Sequence, residues 1–342
     1  MRLQTRSYLI AVALAALVSA CGSPNEPTPQ PGAPTIACPA NMTVRGVPGG
    51  IQAVSYPAPT VTGGAAPVTT TCTPASGATF SAGTTAVACT AVDASARQAQ
   101  CSFSVTLTPL LLSVTKYMAF GDSVTEGQNG RSGFRGERVV DVPNAYPTKL
   151  QSMLNVEYPG QGIVVVNRGQ GGESVGDSAN TRLQIELQKE RPGALLLLEG
   201  YNNLLFPCAV GLSGTQACGQ AITDVGFGLR DLIRIGRRTE YGVKYILVST
   251  LTPPGPYLGI PPDRRIASDA IVRANTQISA MVRAEGATLV ETYPTFIGHE
   301  AEYVDQDGLH LRPAGNQALA ESFFAGIKNT VTSTPGFRTG LN

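Results

Sequence analysis

Among 342 residues there are two histidines, and one of them, His310, sits in Asp307-Gly308-Leu309-His310. Far upstream, Ser123 follows Gly121-Asp122 at the end of an apolar run. A hydroxyl, an imidazole and a carboxylate three residues before the imidazole are the parts of nucleophilic acyl transfer, in the chain order Ser…Asp…His. The imidazole would take the alcohol proton, and the carboxylate would fix the ring tautomer. Three-residue spacing on a helical turn predicts that Asp307 and His310 share one side. His299, in Ile297-Gly298-His299-Glu300, is the rival base; it lacks a comparable partner and reads as a surface loop residue.

Acyl transfer also needs donors for a developing oxyanion, and three segments offer them. Ser123 should begin a helix, where its backbone N–H points outward unpaired. A plainer reading of Ser123-x-x-Glu126 is a helix capping box. In Val166-Asn167-Arg168-Gly169-Gln170-Gly171-Gly172-Glu173 the glycines predict a tight turn after a strand. The lysine and spacing of a phosphate loop are missing there, and Gly169 is the residue expected to present its N–H. In Glu199-Gly200-Tyr201-Asn202-Asn203 the asparagines could be turn formers, but the Asn202 amide is also a suitable neutral donor.

What must position these groups is a run of alternating elements beyond Leu110. Apolar runs at Tyr117–Phe120, Ile163–Val166, Ala194–Leu198, Tyr245–Val248 and Leu289–Val290 read as strands. Helical spacing appears at Tyr146–Leu154, Leu229–Ile235 and Ala267–Val282. Strands buried on both faces and separated by helices predict a five-stranded parallel sheet in a three-layer α/β/α domain, from 114 to 331. In such a sheet the loops at the strand carboxyl ends converge on the active site.

The segment from 35 to 108 differs: Thr-, Val- and Ala-rich, punctuated by Gly and Pro, with strand-like alternation and no helical stripe. It predicts a small all-β sandwich, joined by a linker at 109–113. Residues 21–34 read as a Pro-rich tether, and 332–342 as a C-terminal tail. Arg2 and Arg6 precede an apolar stretch that is too short to span a bilayer and ends in Leu17-Val18-Ser19-Ala20-Cys21. It reads as a signal peptide over 1–20. Apart from Cys21 there are six cysteines, an even number that suits an oxidising compartment. Cys38, Cys72, Cys89 and Cys101 allow three pairings. Cys208 and Cys218 form a local staple expected to contribute about 2–3 kcal/mol. A metal site is not expected, since Cys-x-x-Cys is absent. With 25 Lys and Arg against 24 Asp and Glu, nothing marks a nucleic-acid partner.

Two resemblances extend this reading. Ile36-Ala37-Cys38-Pro39, the stretch Gly83 to Asp93, and Cys101-Ser102-Phe103-Ser104-Val105-Thr106 resemble the hyalin-repeat (HYR) module, which implies an immunoglobulin-like spacer. Gly-Asp-Ser, the glycine after the second strand, Gly-x-Asn and Asp-x-x-His, in this order, resemble the four blocks of the SGNH hydrolases, also called GDSL esterases and lipases. That resemblance covers about Lys116 to Lys328. It implies a flavodoxin-like fold with Ser123 as nucleophile, His310 as base and Asp307 as its orienting acid. Gly169 and Asn202 would complete the oxyanion hole with the Ser123 N–H, and no cofactor is needed. Val124 stands where Leu is usual, and Asn203 where many members carry Asp. The N-terminus resembles a bacterial lipobox, implying lipidation at Cys21 and export as a membrane-anchored lipoprotein, in the periplasm or at the cell surface.

The expected activity is therefore an exported serine esterase, acting as a monomer on short-chain acyl or acetyl-carbohydrate esters. A lipase or thioesterase acting on longer chains is one alternative. A surface adhesin that binds glycan on an inactive hydrolase scaffold is the other.

Overall fold

The computed structural model describes residues 30–130, 139–256 and 258–333. The signal segment, Cys21 and the tail beyond 333 lie outside the described residues.

The chain divides into two compact units. The first takes the chain up to Pro39, with Pro57–Ala75 and Val87–Phe103; the second takes Ala40–Tyr56, Ser76–Ala86 and everything from Ser104. In the first, β1 (Thr35–Ala37) pairs antiparallel with β4 (Thr60–Thr62). β5 (Thr69–Thr73) pairs antiparallel with β7 (Gly83–Val92), with Cys72 directly opposite Cys89. Of the three pairings open to the sequence, the structure has Cys72–Cys89 and Cys38–Cys101. Asp93 organises the turn after β7: Oδ1 accepts the N–H groups of Ser95 and Arg97, and Oδ2 accepts from Ala65 N–H and Arg97 Nε.

In the second unit, β2 (Met42–Val47) pairs parallel with β8 (Gln98–Pro109) from Val105 onward, and β3 (Ile51–Ala53) pairs antiparallel with β6 (Thr79–Ser81). A short pair, β9 (Leu111–Leu112) with β15 (Thr332–Ser333), follows.

The larger part of the second unit is a five-stranded parallel sheet of β10 (Lys116–Gly121), β11 (Val164–Gly169), β12 (Ala194–Leu198), β13 (Tyr245–Ser249) and β14 (Thr288–Val290). All five coincide with the expected apolar runs. β12 is buried at every position, because it is central and covered on both faces. The order β11-β10-β12-β13-β14 is the flavodoxin-like 2-1-3-4-5. It reverses direction between β10 and β12, so the ligand crevice of this fold opens at their carboxyl ends.

Helices cover the sheet. α2 (Tyr146–Glu157) packs on α9 (Pro313–Val331), with the Tyr146 and Phe323 rings stacked 5.2 Å apart. α3 (Asp177–Glu190), α5 (Gln216–Gly236) and α6 (Ser268–Ala284) pack in succession. α5 buries Ala221, Ile222, Val225, Leu229, Leu232 and Ile233, the three-four spacing of one helical stripe. Its N-cap Thr215 accepts the Cys218 N–H through its hydroxyl, and Cys218 is bonded to Cys208. That staple ties the start of α5 to the loop after α4 (Tyr201–Leu204).

Candidate active site

β10 delivers the serine. After Gly121 the chain enters α1 (Ser123–Glu126), a single turn closed by Gly127 at φ +95°, whose N–H donates to the Ser123 carbonyl. The helix is capped by Asp122, whose Oδ1 accepts the Val124 N–H at 3.0 Å. This corrects the capping-box reading. Ser123 does not cap, and Glu126 Oε2 instead accepts from Gln128 Nε2 and from Gly171 N–H. The Ser123 hydroxyl is therefore spare, and its backbone N–H has no acceptor among the described residues.

The hydroxyl meets the imidazole: Ser123 Oγ lies 2.8 Å from His310 Nε2, and His310 Nδ1 lies 2.5 Å from Asp307 Oδ2. The Asp307–His310 segment is a turn rather than the expected helical one. Asp307 Oδ1 accepts the N–H groups of Leu309 and His310, both at 3.0 Å, and Gly308 takes φ +76°. A bridge between Val304 and Leu311 holds the base of the loop. Burial raises the Asp307 pKa, but hydrogen bonds from His310 and the two backbone amides outweigh it, leaving the carboxyl below its ordinary range. A carboxylate accepting from Nδ1 leaves Nε2 as the acceptor for the serine proton. His299 stays on the surface, stacked on Tyr303 and 3.5 Å from Glu302.

The glycine loop after β11 departs from expectation. The Gly169 N–H donates to Asn167 Oδ1 at 2.9 Å, so it is not free for an oxyanion. A Cβ at Gly169 would lie 2.0 Å from the Glu126 nitrogen, so glycine is needed there for close approach to α1. Replacing Gly169 with Ala is expected to cost roughly 3 kcal/mol of stability or more, read by denaturant unfolding; an unchanged midpoint would contradict this packing. Three residues on, Gly172 sits at φ +80° with open space where a side chain would be. Its N–H has no acceptor among the described residues. A run of glycines did not say which N–H stays unpaired; the bonds made by Gly169 and Gly171 do.

Asn202 is the second residue of α4, after β12, and its Nδ2 donates to the Glu173 carbonyl at 2.7 Å, which fixes the amide and leaves its second N–H to spare. Asn203 clamps Val175 from both sides, accepting its N–H at 3.0 Å and donating to its carbonyl at 3.2 Å. An aspartate could only accept, so Asn203 holds this loop at least as firmly. Tyr201, Thr252, Pro253, Ile266, Ile271 and Leu309 line a small notch with room for about one water molecule. A polar cleft lined by Asn129, Asp141, Asn144, Asp305, Gln306 and Arg312 lies along the loop that carries Asp307 and His310.

Residues 119–318 match the family described as GDSL-like Lipase/Acylhydrolase, and residues 30–107 match the HYR domain. No curated protein matches the chain. One solved structure aligns at 18% identity and TM-score 0.50, over 64% of this chain and 98% of its own, which bears on the fold alone. A putative arylesterase from Agrobacterium tumefaciens aligns at 19% identity and TM-score 0.49, over 64% and 100%. Axe2, an acetylxylan esterase from Geobacillus stearothermophilus, aligns at 20% and 0.46, over 62% and 94%.

Proposed function

The chain belongs to the GDSL-like lipase/acylhydrolase family and is a serine hydrolase of carboxylic ester bonds; on that premise we propose that Ser123, His310 and Asp307 are its catalytic triad. The observation that carries this is the continuous contact from Ser123 Oγ through both ring nitrogens to Asp307 Oδ2. Ser123 Oγ attacks the ester carbonyl while its proton passes to His310 Nε2. The imidazolium, held by Asp307, then protonates the leaving alcohol. Water, deprotonated by the same nitrogen, opens the acyl-enzyme.

The oxyanion donors in this reading are the N–H of Ser123, the N–H of Gly172 in place of Gly169, and Asn202 Nδ2. Asn202→Ala is expected to lower kcat about 10²–10³-fold with the fold retained. An unchanged kcat would remove Asn202 from the hole. The deciding experiment for the triad is labelling with a fluorophosphonate probe: modification at Ser123 is expected, whereas an inert scaffold used for adhesion would take no label.

The substrate proposed is a short-chain ester, acetyl above all, on a hydroxyl-rich alcohol such as a carbohydrate. The notch beside Leu309 has no room for a long acyl chain, and the polar cleft along the same loop suits an alcohol with many hydroxyls. A series of p-nitrophenyl esters should show kcat/KM falling by about tenfold or more between acetyl and octanoyl, as a site without room for a long chain discriminates. A rise with chain length would favour the lipase or thioesterase reading. Export as a Cys21-lipidated, membrane-anchored monomer completes the proposal. It predicts that Cys21→Ser releases the protein from the membrane fraction.

A further inference from the structure

Beside Ser123, three carboxyl side chains are buried close to one another, and one of them is paired with a guanidinium. Sheet register puts them there. Gly121 of β10 is level with Gly169 of β11 and Leu198 of β12, so Asp122 and Glu199 leave neighbouring strand ends together. Glu173 joins from the loop after β11. Asp122, Glu173 and Glu199 are 0%, 5% and 1% exposed. Arg182 donates through Nε to Glu173 Oε1 at 2.7 Å and through Nη2 to Glu173 Oε2. Its remaining bonds go to the carbonyls of Arg168 and Gly121, and its plane lies 3.8 Å from the centre of the Phe120 ring. Tyr146, Tyr201 and His310 are the other titratable groups facing these carboxyls.

One guanidinium offsets one carboxylate, and three ionised carboxyls in so dry a place would repel one another. Neither Glu199 oxygen has a donor among the described residues, although both are buried. The side chain that Glu199 reaches is the Glu173 carboxyl. Two carboxyls make a hydrogen bond only when one of them carries a proton. Both Glu173 oxygens already accept from Arg182, so the shared proton belongs on Glu199. Burial first, then the neighbouring Asp122 and Glu173, push the Glu199 carboxyl well above its ordinary range. Glu173 in turn accepts Asn202 Nδ2 on its backbone carbonyl.

We infer that Glu199 is a positioning residue, kept as a neutral carboxylic acid, that donates to Glu173 and through it holds the Asn202 amide in the oxyanion hole. The inference rests on the esterase reading above. Glu199 touches no substrate; it acts by fixing the carbonyl that aims Asn202.

The test uses the full-length enzyme and p-nitrophenyl acetate. Glu199→Ala should lower kcat roughly 10–100-fold, with KM within about threefold, as loss of a supporting contact to an oxyanion donor would. Glu199→Gln, which still donates, should restore most of kcat. In an Asn202→Ala background, Glu199→Ala should cost little more, because both act on one donor. The infrared spectrum of the wild type at neutral pH should show a protonated-carboxyl stretch that Glu199→Gln removes. This last measurement stands even if Glu199→Ala does not fold. Loss of kcat in Glu199→Gln equal to that in Glu199→Ala, additive effects with Asn202→Ala, or no such stretch would each overturn the inference. A wild type without any ester hydrolysis would instead sink the esterase reading itself.

Discussion

Ser123→Ala is expected to lower kcat for ester hydrolysis by about 10³–10⁶-fold while the protein stays folded. In the proposed triad the hydroxyl is the attacking atom, and its side-chain contact is with His310. The turn that presents it is held by other groups, namely the Asp122 cap and the Gly127 amide. Removing Oγ therefore deletes the covalent step and leaves the local fold in place. The surviving rate is what the oxyanion donors and substrate positioning supply alone. Steady-state kinetics on p-nitrophenyl acetate, with a thermal melt as control, reads it. A variant within tenfold of the wild type, with an unchanged melt, would mean that another nucleophile does the work.

Asp307→Asn should lower kcat by about 10⁴-fold with little change in KM. Asp307 uses its two oxygens differently. Oδ1 accepts two backbone N–H groups, and Oδ2 accepts from His310 Nδ1. In the amide variant the oxygen stays with the backbone donors, so the NH₂ group faces Nδ1. That contact is tolerated only if Nδ1 gives up its proton, which moves the proton to Nε2. An Nε2 that already carries a proton cannot take one from Ser123. The same carboxylate also bears on stability. Its pKa is lowered in the folded state, so its contribution is fully present at neutral pH, declines below the unfolded carboxylate range and is lost as pH falls through the folded value. Asp307→Asn should therefore melt with a weaker acid dependence than the wild type. Wild-type-like turnover in the variant would show that the ring orientation does not depend on Asp307.

Much of this site is legible along the chain because its parts are punctuated locally. The Ser123, Gly169 and Asn202 segments each follow an apolar run, and Asp307-x-x-His310 keeps the proposed acid and base within one short turn. Spacing alone misjudged how that turn is built: the Asp307 side chain folds the backbone onto itself, and no helix is involved. It also misread the cap, since Asp122 and Ser123 are equally good capping residues and only the φ/ψ path after Gly121 chooses between them. Gly169 was the plausible donor because it directly follows the strand. The choice of Gly172 depends on where Asn167 and Glu126 lie, and these are set by packing.

The residues alone determined the class of molecule. Five short apolar runs separated by helical stretches admit little besides a covered parallel sheet, and the four motifs, through their joint resemblance to the SGNH blocks, imply acyl transfer. These follow from side-chain type and local periodicity, which a linear chain carries in full. Tertiary structure alone decided which backbone amides remain unpaired, how the four cysteines of the β-rich segment pair, and that Asp122, Glu173 and Glu199 are buried beside one another with one guanidinium on Glu173. Each of those depends on strand register and loop closure between residues far apart in the chain, where a shift of one position exchanges buried neighbours for exposed ones.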